Sequence, residues 1–323
     1  MLSRVAENIY WLSRYLERAE DTARLINVTS NLLLDFPRTT RLDWDSLVTI
    51  TGAEELFDEH YETRSADNVL SFLCVDLHYS GSIISSLQAA RENLRTTRDI
   101  MPREVWEELN TLYLETLKQV EAGITSRKRD AFMKRVIRSC QAINGLIEGS
   151  LSHTQVHCFL MLGRNLERAD MTTRIIDVRS ANLLPRSPED LTPYENLQWM
   201  SVLKSLTGYQ MYRQQVRLRV RGPDVLRFLL QDEAFPRAVA SCLRQLSFEL
   251  EDLPRHEEVQ ALVDDLLPRL VNANMEKMAH TPDLLHDFID DLQISFNELH
   301  QDIADHYFSG EYRGQSQGQS SVA

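Results

Sequence analysis

Four charged residues at one spacing are repeated in this chain. Arg14, Glu17, Arg18 and Arg24 recur as Arg164, Glu167, Arg168 and Arg174, 150 residues further on, inside two stretches that also match in their apolar positions. On the first helix Arg14, Glu17, Asp21 and Arg24 fall at i, i+3, i+7 and i+10, a charged stripe beside the apolar one. A guanidinium is a planar fork that grips a carboxylate or phosphate with two hydrogen bonds. A glutamate held among arginines is a candidate general acid or base. Glu17 and Glu167 are therefore the candidate catalytic groups, and Arg14, Arg18, Arg164 and Arg168 the candidate substrate-binding groups. Asp21 aligns with Met171 and drops from the shared set.

Three arrangements would use such a stripe. Solvent-facing pairs within one helix, Arg14 with Glu17 and Glu20 with Arg24, would contribute only ~0.2–0.5 kcal/mol each. Pairs that weak impose little demand to keep the same residues in both copies. A buried, hydrogen-bonded ion network would lock two long helices together, because a carboxylate is tolerated inside a protein only when paired. A cleft lined by the arginines would instead take an anionic ligand. The residues alone leave the last two open.

Other polar groups carry less. Arg91 and Glu92 begin a second charged helix face, Arg91 to Arg98, present only in the first copy, and they join the candidate substrate-binding set. His153 and His157 are four apart and could share a cation along a helix, with Glu167 and Asp170 further on. That spacing is permissive rather than specific, and no ExxH motif of the di-iron bundle type occurs, so neither a metal nor another cofactor is expected. His300, Asp302, Asp305 and His306 add nothing stronger. GxSxG, Walker A and GxGxxG motifs are absent, and Ser85 and Ser86 read as helix-packing residues. Cys74, Cys140, Cys158 and Cys242 are scattered without a CxxC pair and read as buried thiols.

The elements that must hold these groups are helical throughout. Ile9, Leu12, Leu16, Ala19, Ala23, Ile26, Ser30 and Leu33 recur at steps of three and four, predicting a long first helix from about residue 4 to 35, capped by Ser3 and stopped by Pro37. Helical spacing continues over 42–50, 68–74, 82–100, 103–121 and 127–149, and no alternating strand pattern appears. A break follows at 150–154, and the second long helix is expected over 154–184. Trp44 to Gly52 reappears as Trp199 to Gly208. Asn68 to Asp76 aligns with Asp224 to Asp232 at an offset of 156, and the match continues through Tyr79/Phe235, Ile83/Val239 and Leu87/Leu243. Three matched segments in one order predict a tandem duplication. The expected architecture is an all-α, internally duplicated helical bundle with two long pseudo-equivalent helices. Residues 1–150 would form the first repeat and 151–308 the second, packed as one unit. The last two helical segments are 257–267, ended or kinked by Pro268, and 283–308. Residues 309–323, rich in Gly, Ser and Gln, read as a disordered tail.

Composition narrows the partners. With 323 residues and 43% hydrophobic content the chain can bury a large core. A net charge of −13 disfavours nucleic acid and anionic membrane surfaces. No signal-peptide h-region or spanning apolar run is present, so a cytoplasmic location is expected. A homo-oligomer is left open.

The segments Met1 to Arg4, Tyr10-Trp11, Arg14-Tyr15, Glu17 to Glu20 and Ala23-Arg24 resemble the opening of the bacterial alpha-E family. Arg91-Glu92-Asn93, Leu166 to Asp170, Phe235-Pro236-Arg237 and Cys242-Leu243 resemble it too, so the likeness spans the chain except its tail. Leu94, where a small residue is expected, and Asn165 depart from the pattern. The resemblance implies company more than chemistry. Members are associated with circularly permuted ATP-grasp proteins and transglutaminase-like proteins, which points to amide- or peptide-bond metabolism. On that basis the chain is expected to be a helical partner of an ATP-grasp ligase, presenting arginines to an anionic substrate. The alternative is a stand-alone enzyme of the same metabolism using Glu17 or Glu167 as general acid or base.

Overall fold

Helix α1 (Ser3–Asp35) is enclosed on every side: from Ile9 to Ile26 each residue except Arg18 is buried. A helix so enclosed must take its charged stripe into the interior along with its apolar one, which decides where Arg14 and Glu17 lie. The same holds for α8 (Gln155–Leu183), where the half-buried residues between His157 and Ile176 are Arg164, Arg168, Asp170 and Arg174. The computed structural model describes residues 1–35, 44–122, 126–183, 195–216 and 219–309, and these hold α-helices, one π turn and no strand. Pro37, read as the stop of the first helix, and residues 310–323 of the expected tail lie outside the described residues. So do 42 and 43, at the start of the second expected segment.

The shorter helices wrap this central pair. On the first half they are α2 (Asp45–Thr51), α3 (Glu54–His60), α4 (Ala66–Val75), α5 (Ile83–Thr96), α6 (Arg103–Ala122) and α7 (Ser126–Ser150). On the second they are α9 (Glu195–Ser205), α10 (Tyr209–Gln215), α11 (Gly222–Leu226) with its π turn Arg227–Gln231, α12 (Val239–Glu251), α13 (Glu257–Val271), α14 (Met275–Ala279) and α15 (Pro282–Tyr307). α1 packs against α8, α5 and α7, and α8 against α12, α15 and α2. Both halves of the chain contribute to one continuous apolar cluster that includes Ile9, Leu12, Leu16, Leu87, Leu162, Leu166, Trp199 and Leu243. Burying side chains of this size stabilises by ~1.5–3 kcal/mol each.

Local chemistry explains several boundaries. Ser82 and Ser65 cap α5 and α4 by accepting from the Ser85 and Asn68 backbone N–H groups. Helix α1 starts at Ser3 itself rather than after it, with the Leu2 carbonyl accepting from Ala6. Gly52 ends α2 at φ 64°, a left-handed position suited to glycine. Pro268 does not end α13, which runs to Val271: buried Leu266 and Leu270 hold the last turn, and Gln231 Nε2 donates to the carbonyls of Leu270, Val271 and Ala273 beyond it. The two long helices are in close contact at Gly163, where an added Cβ would lie 2.2 Å from the Tyr10 carbonyl and 2.3 Å from Ser13 Oγ. In the sequence repeat Gly163 aligns with Ser13, so the crossing falls on matched positions.

Candidate functional site

At that crossing the two Glu-Arg pairs exchange partners between helices. Arg18 grips Glu167 with both arms, Nε to Oε1 at 2.5 Å and Nη2 to Oε2 at 2.9 Å. Arg168 grips Glu17 the same way, at 2.8 and 3.0 Å. Each carboxylate then takes a second guanidinium, but from different places. Arg14 Nε donates to Glu167 at 2.7 Å, whereas Glu17 is met by Arg237 at 2.9 Å, from the segment before α12. Arg237 also donates to Asp21 at 2.7 Å and to Glu20 at 3.3 Å, and Glu20 pairs with Arg24 one turn on. Asp170 and Arg174 form the corresponding pair on α8 at 2.9 Å.

Burial fixes the electrostatics. Glu17 and Glu167 are buried, which by itself raises a carboxyl pKa; Arg168 and Arg237 around the first, and Arg18 and Arg14 around the second, outweigh that and hold both at about 2. Both oxygens of each are occupied by guanidinium donors. Carboxylates in this state are permanent counter-ions at neutral pH, with no proton to give. Asp21 goes the other way. Its burial, with Glu17 and Glu20 nearby, raises its carboxyl to about 7 despite Arg237, and its Oδ2 has no hydrogen-bond partner. Arg168 is committed to Glu17 and Arg24 to Glu20, so Asp21 has only a share of Arg237 and is the carboxyl most easily protonated.

A chain of hydrogen bonds leaves the network towards α15. Arg14 Nη1 lies 3.4 Å from the Tyr10 hydroxyl, which lies 2.9 Å from His300 Nδ1. Burial, reinforced by Arg14, pushes His300 down to about 3, so it is neutral, while burial pushes Tyr10 up to about 12. The Tyr10 hydroxyl and His300 Nδ1 therefore share one hydrogen bond, whose direction follows the His300 tautomer.

The structure brings together Arg14, Glu17, Arg18, Glu167 and Arg168, and separates three other candidates from them. Arg164 turns outward to Glu148 at 2.7 Å. Arg91 bonds Asn110 at 2.7 Å and stacks over Trp106 and Tyr113, which fastens α5 to α6. Glu92 forms a surface pair with Arg95. Asp21, set aside because Met171 replaces it, belongs to the network through Arg237. A signal for this pair existed: at the offset of 156 Arg237 aligns with Gly81, so both members of the Asp21–Arg237 pair change together in the other repeat. Tyr10 and His300 carried no such signal.

The geometry defines an all-helical protein organised on a reciprocal, buried Glu-Arg exchange. The chain belongs to the Alpha-E family, described as "a predicted alpha-helical domain with a conserved ER motif", which matches residues 1–308. Glu-Arg occurs twice in this chain, at 17–18 and 167–168, and both occurrences are in the exchange. Similar proteins include uncharacterized proteins of Mycobacterium bovis and Mycobacterium tuberculosis, each 23% identical over 94% of this chain. The chain spans 36% of the length of these relatives. No solved structure matches. Among the described residues no helix is long and apolar enough to cross a membrane.

Proposed function

We propose that this chain is a helical partner module of an ATP-grasp system that forms amide or peptide bonds, with the Glu-Arg exchange as its internal scaffold. The observation that carries this reading is the saturation of both carboxylates. The polar feature the two repeats share is satisfied inside the molecule, and its glutamates are held as counter-ions, which suits a rigid docking module better than a proton-transfer site. The ATP-grasp association itself rests on the family resemblance. Any arginine contribution to an anionic substrate falls to Arg18 and Arg168, whose side chains are 13% and 12% exposed and reach the rim of the network.

The test is sedimentation of the purified chain with the circularly permuted ATP-grasp protein of the same organism, with and without ATP and Mg²⁺. A stoichiometric complex at micromolar concentration is expected, along with ligase product formation that depends on this chain. Absence of a complex in both nucleotide states overturns the reading.

A further inference from the structure

The connection from α7 to α8 gathers three metal-ligand side chains outside the Glu-Arg network. Glu148 stands in the last turn of α7, His153 in the connection and His157 in the first turn of α8, and one ligand atom from each lies within 4.8 Å of the others. The two imidazoles are stacked, with centroids 4.1 Å apart and planes at 19°, so a shared cation requires the exposed His153 ring to turn its lone pair toward His157 Nε2. His157 is only 6% exposed, and its Nε2 is buried without a hydrogen-bond partner. That nitrogen is 3.8 Å from Glu148 Oε2. The distance is too long for a hydrogen bond, and close to the ~3.3 Å that separates two ligand atoms on a tetrahedral zinc with bonds near 2.0–2.1 Å.

The surroundings aim these groups. His157 Nδ1 faces the buried Glu249 carboxylate on α12 at 3.5 Å, and Gln245 holds that carboxylate at 2.8 Å. With its proton on Nδ1, toward Glu249, the imidazole offers its Nε2 lone pair to a cation. Arg164 Nη2 holds the other oxygen of Glu148 at 2.7 Å and fixes the carboxylate's orientation. Glu148 and His153 are exposed, which gives a cation access. Glu167 and Asp170, further along α8, are engaged by Arg14, Arg18 and Arg174 and contribute nothing here.

We propose that Glu148, His153 and His157 bind one divalent cation of the zinc class, with a fourth position open to solvent. Two imidazoles and one carboxylate suit zinc rather than magnesium or calcium, and three protein ligands with an open position make a site able to take water or a partner's donor atom. The other group of similar composition, Asp177, His286 and Asp290, differs in that His286 already hydrogen-bonds Asp177 at 2.8 Å and is exposed.

The full chain, stripped with chelator, is titrated with Zn²⁺ by calorimetry and with Co²⁺ by visible absorption. One equivalent is expected to bind, with the intense Co²⁺ bands of a low-coordinate site. Because His157 is buried and its loss can unfold the chain, the exposed ligands carry the test. His153→Ala and Glu148→Gln should each abolish stoichiometric binding while leaving the helical circular dichroism unchanged. Glu249→Gln, a positioning variant, should weaken binding by about 10–100-fold. No binding at micromolar zinc overturns the proposal. So does binding that survives His153→Ala and Glu148→Gln but is lost in His286→Ala.

Discussion

Replacing Glu17 by Gln keeps the shape of the side chain and removes its charge, leaving Arg168 and Arg237 facing a neutral amide inside the protein. The cost follows from the proton affinity of the site. Glu17 is held at about 2 against an ordinary 4.5, which at about 1.4 kcal/mol per tenfold change corresponds to roughly 3 kcal/mol. Breaking a buried ion pair from one side costs about 3–5 kcal/mol in other proteins, so two routes converge. Against total stabilities of about 5–15 kcal/mol this is a large fraction. Guanidinium unfolding followed by circular dichroism should show the loss at pH 7, and thermal melts a fall in Tm of roughly 4–7 °C. Because the folded pKa is depressed, the stabilisation is present above pH 4.5 and disappears as pH falls towards 2, so wild type and variant should converge in acid. The surface counterpart Glu92→Gln should cost under about 0.5 kcal/mol. A Glu17→Gln variant within about 0.5 kcal/mol of wild type at pH 7 would refute the buried-exchange account.

Asp21 should show the opposite pH dependence. Its folded pKa, about 7, lies above the ordinary 3.8, so the folded state holds an extra proton between these values and stability falls as pH rises through that window. Asp21→Asn should flatten this slope in denaturation profiles from pH 4 to 8, and an unchanged slope would rule out Asp21 as its source. At the helix crossing, Gly163→Val should destabilise by at least about 1–3 kcal/mol, since a side chain there meets the Tyr10 backbone, and a stability equal to wild type would show that the helices can part without cost.

Much of the fold was legible because helical spacing is a local property. The two long helices were expected over 4–35 and 154–184 and run over 3–35 and 155–183. The short helices α3, α10 and α14 were missed: at five to seven residues they contain too few turns for a period to emerge. Glu17, Arg18, Glu167 and Arg168 could be singled out because the repeat kept polar residues as faithfully as apolar ones. Their partners could not be read, since periodicity gives the face of a helix and not what faces it. Arg14 and Glu17, three apart, look like an intrahelical pair, yet each reaches across to α8 or Arg237. Arg91 looked like a ligand-binding residue because its true partners, Asn110, Trp106 and Tyr113, lie on the next helix. The four cysteines, expected to be buried thiols, are all free and buried.

The exchange between α1 and α8 also shapes how the chain reaches its native state. Arg18 and Glu167 stand 149 positions apart along the chain, and Arg168 and Glu17 stand 151 apart, so neither fork can form while the polypeptide is only locally ordered. Long-range closure of this kind comes late and is slow. Until it happens the carboxylates and guanidiniums keep their water, and half a network would leave unpaired charge in the interior. The two forks are therefore energetically coupled, since drying one without closing the other would bury unpaired charge.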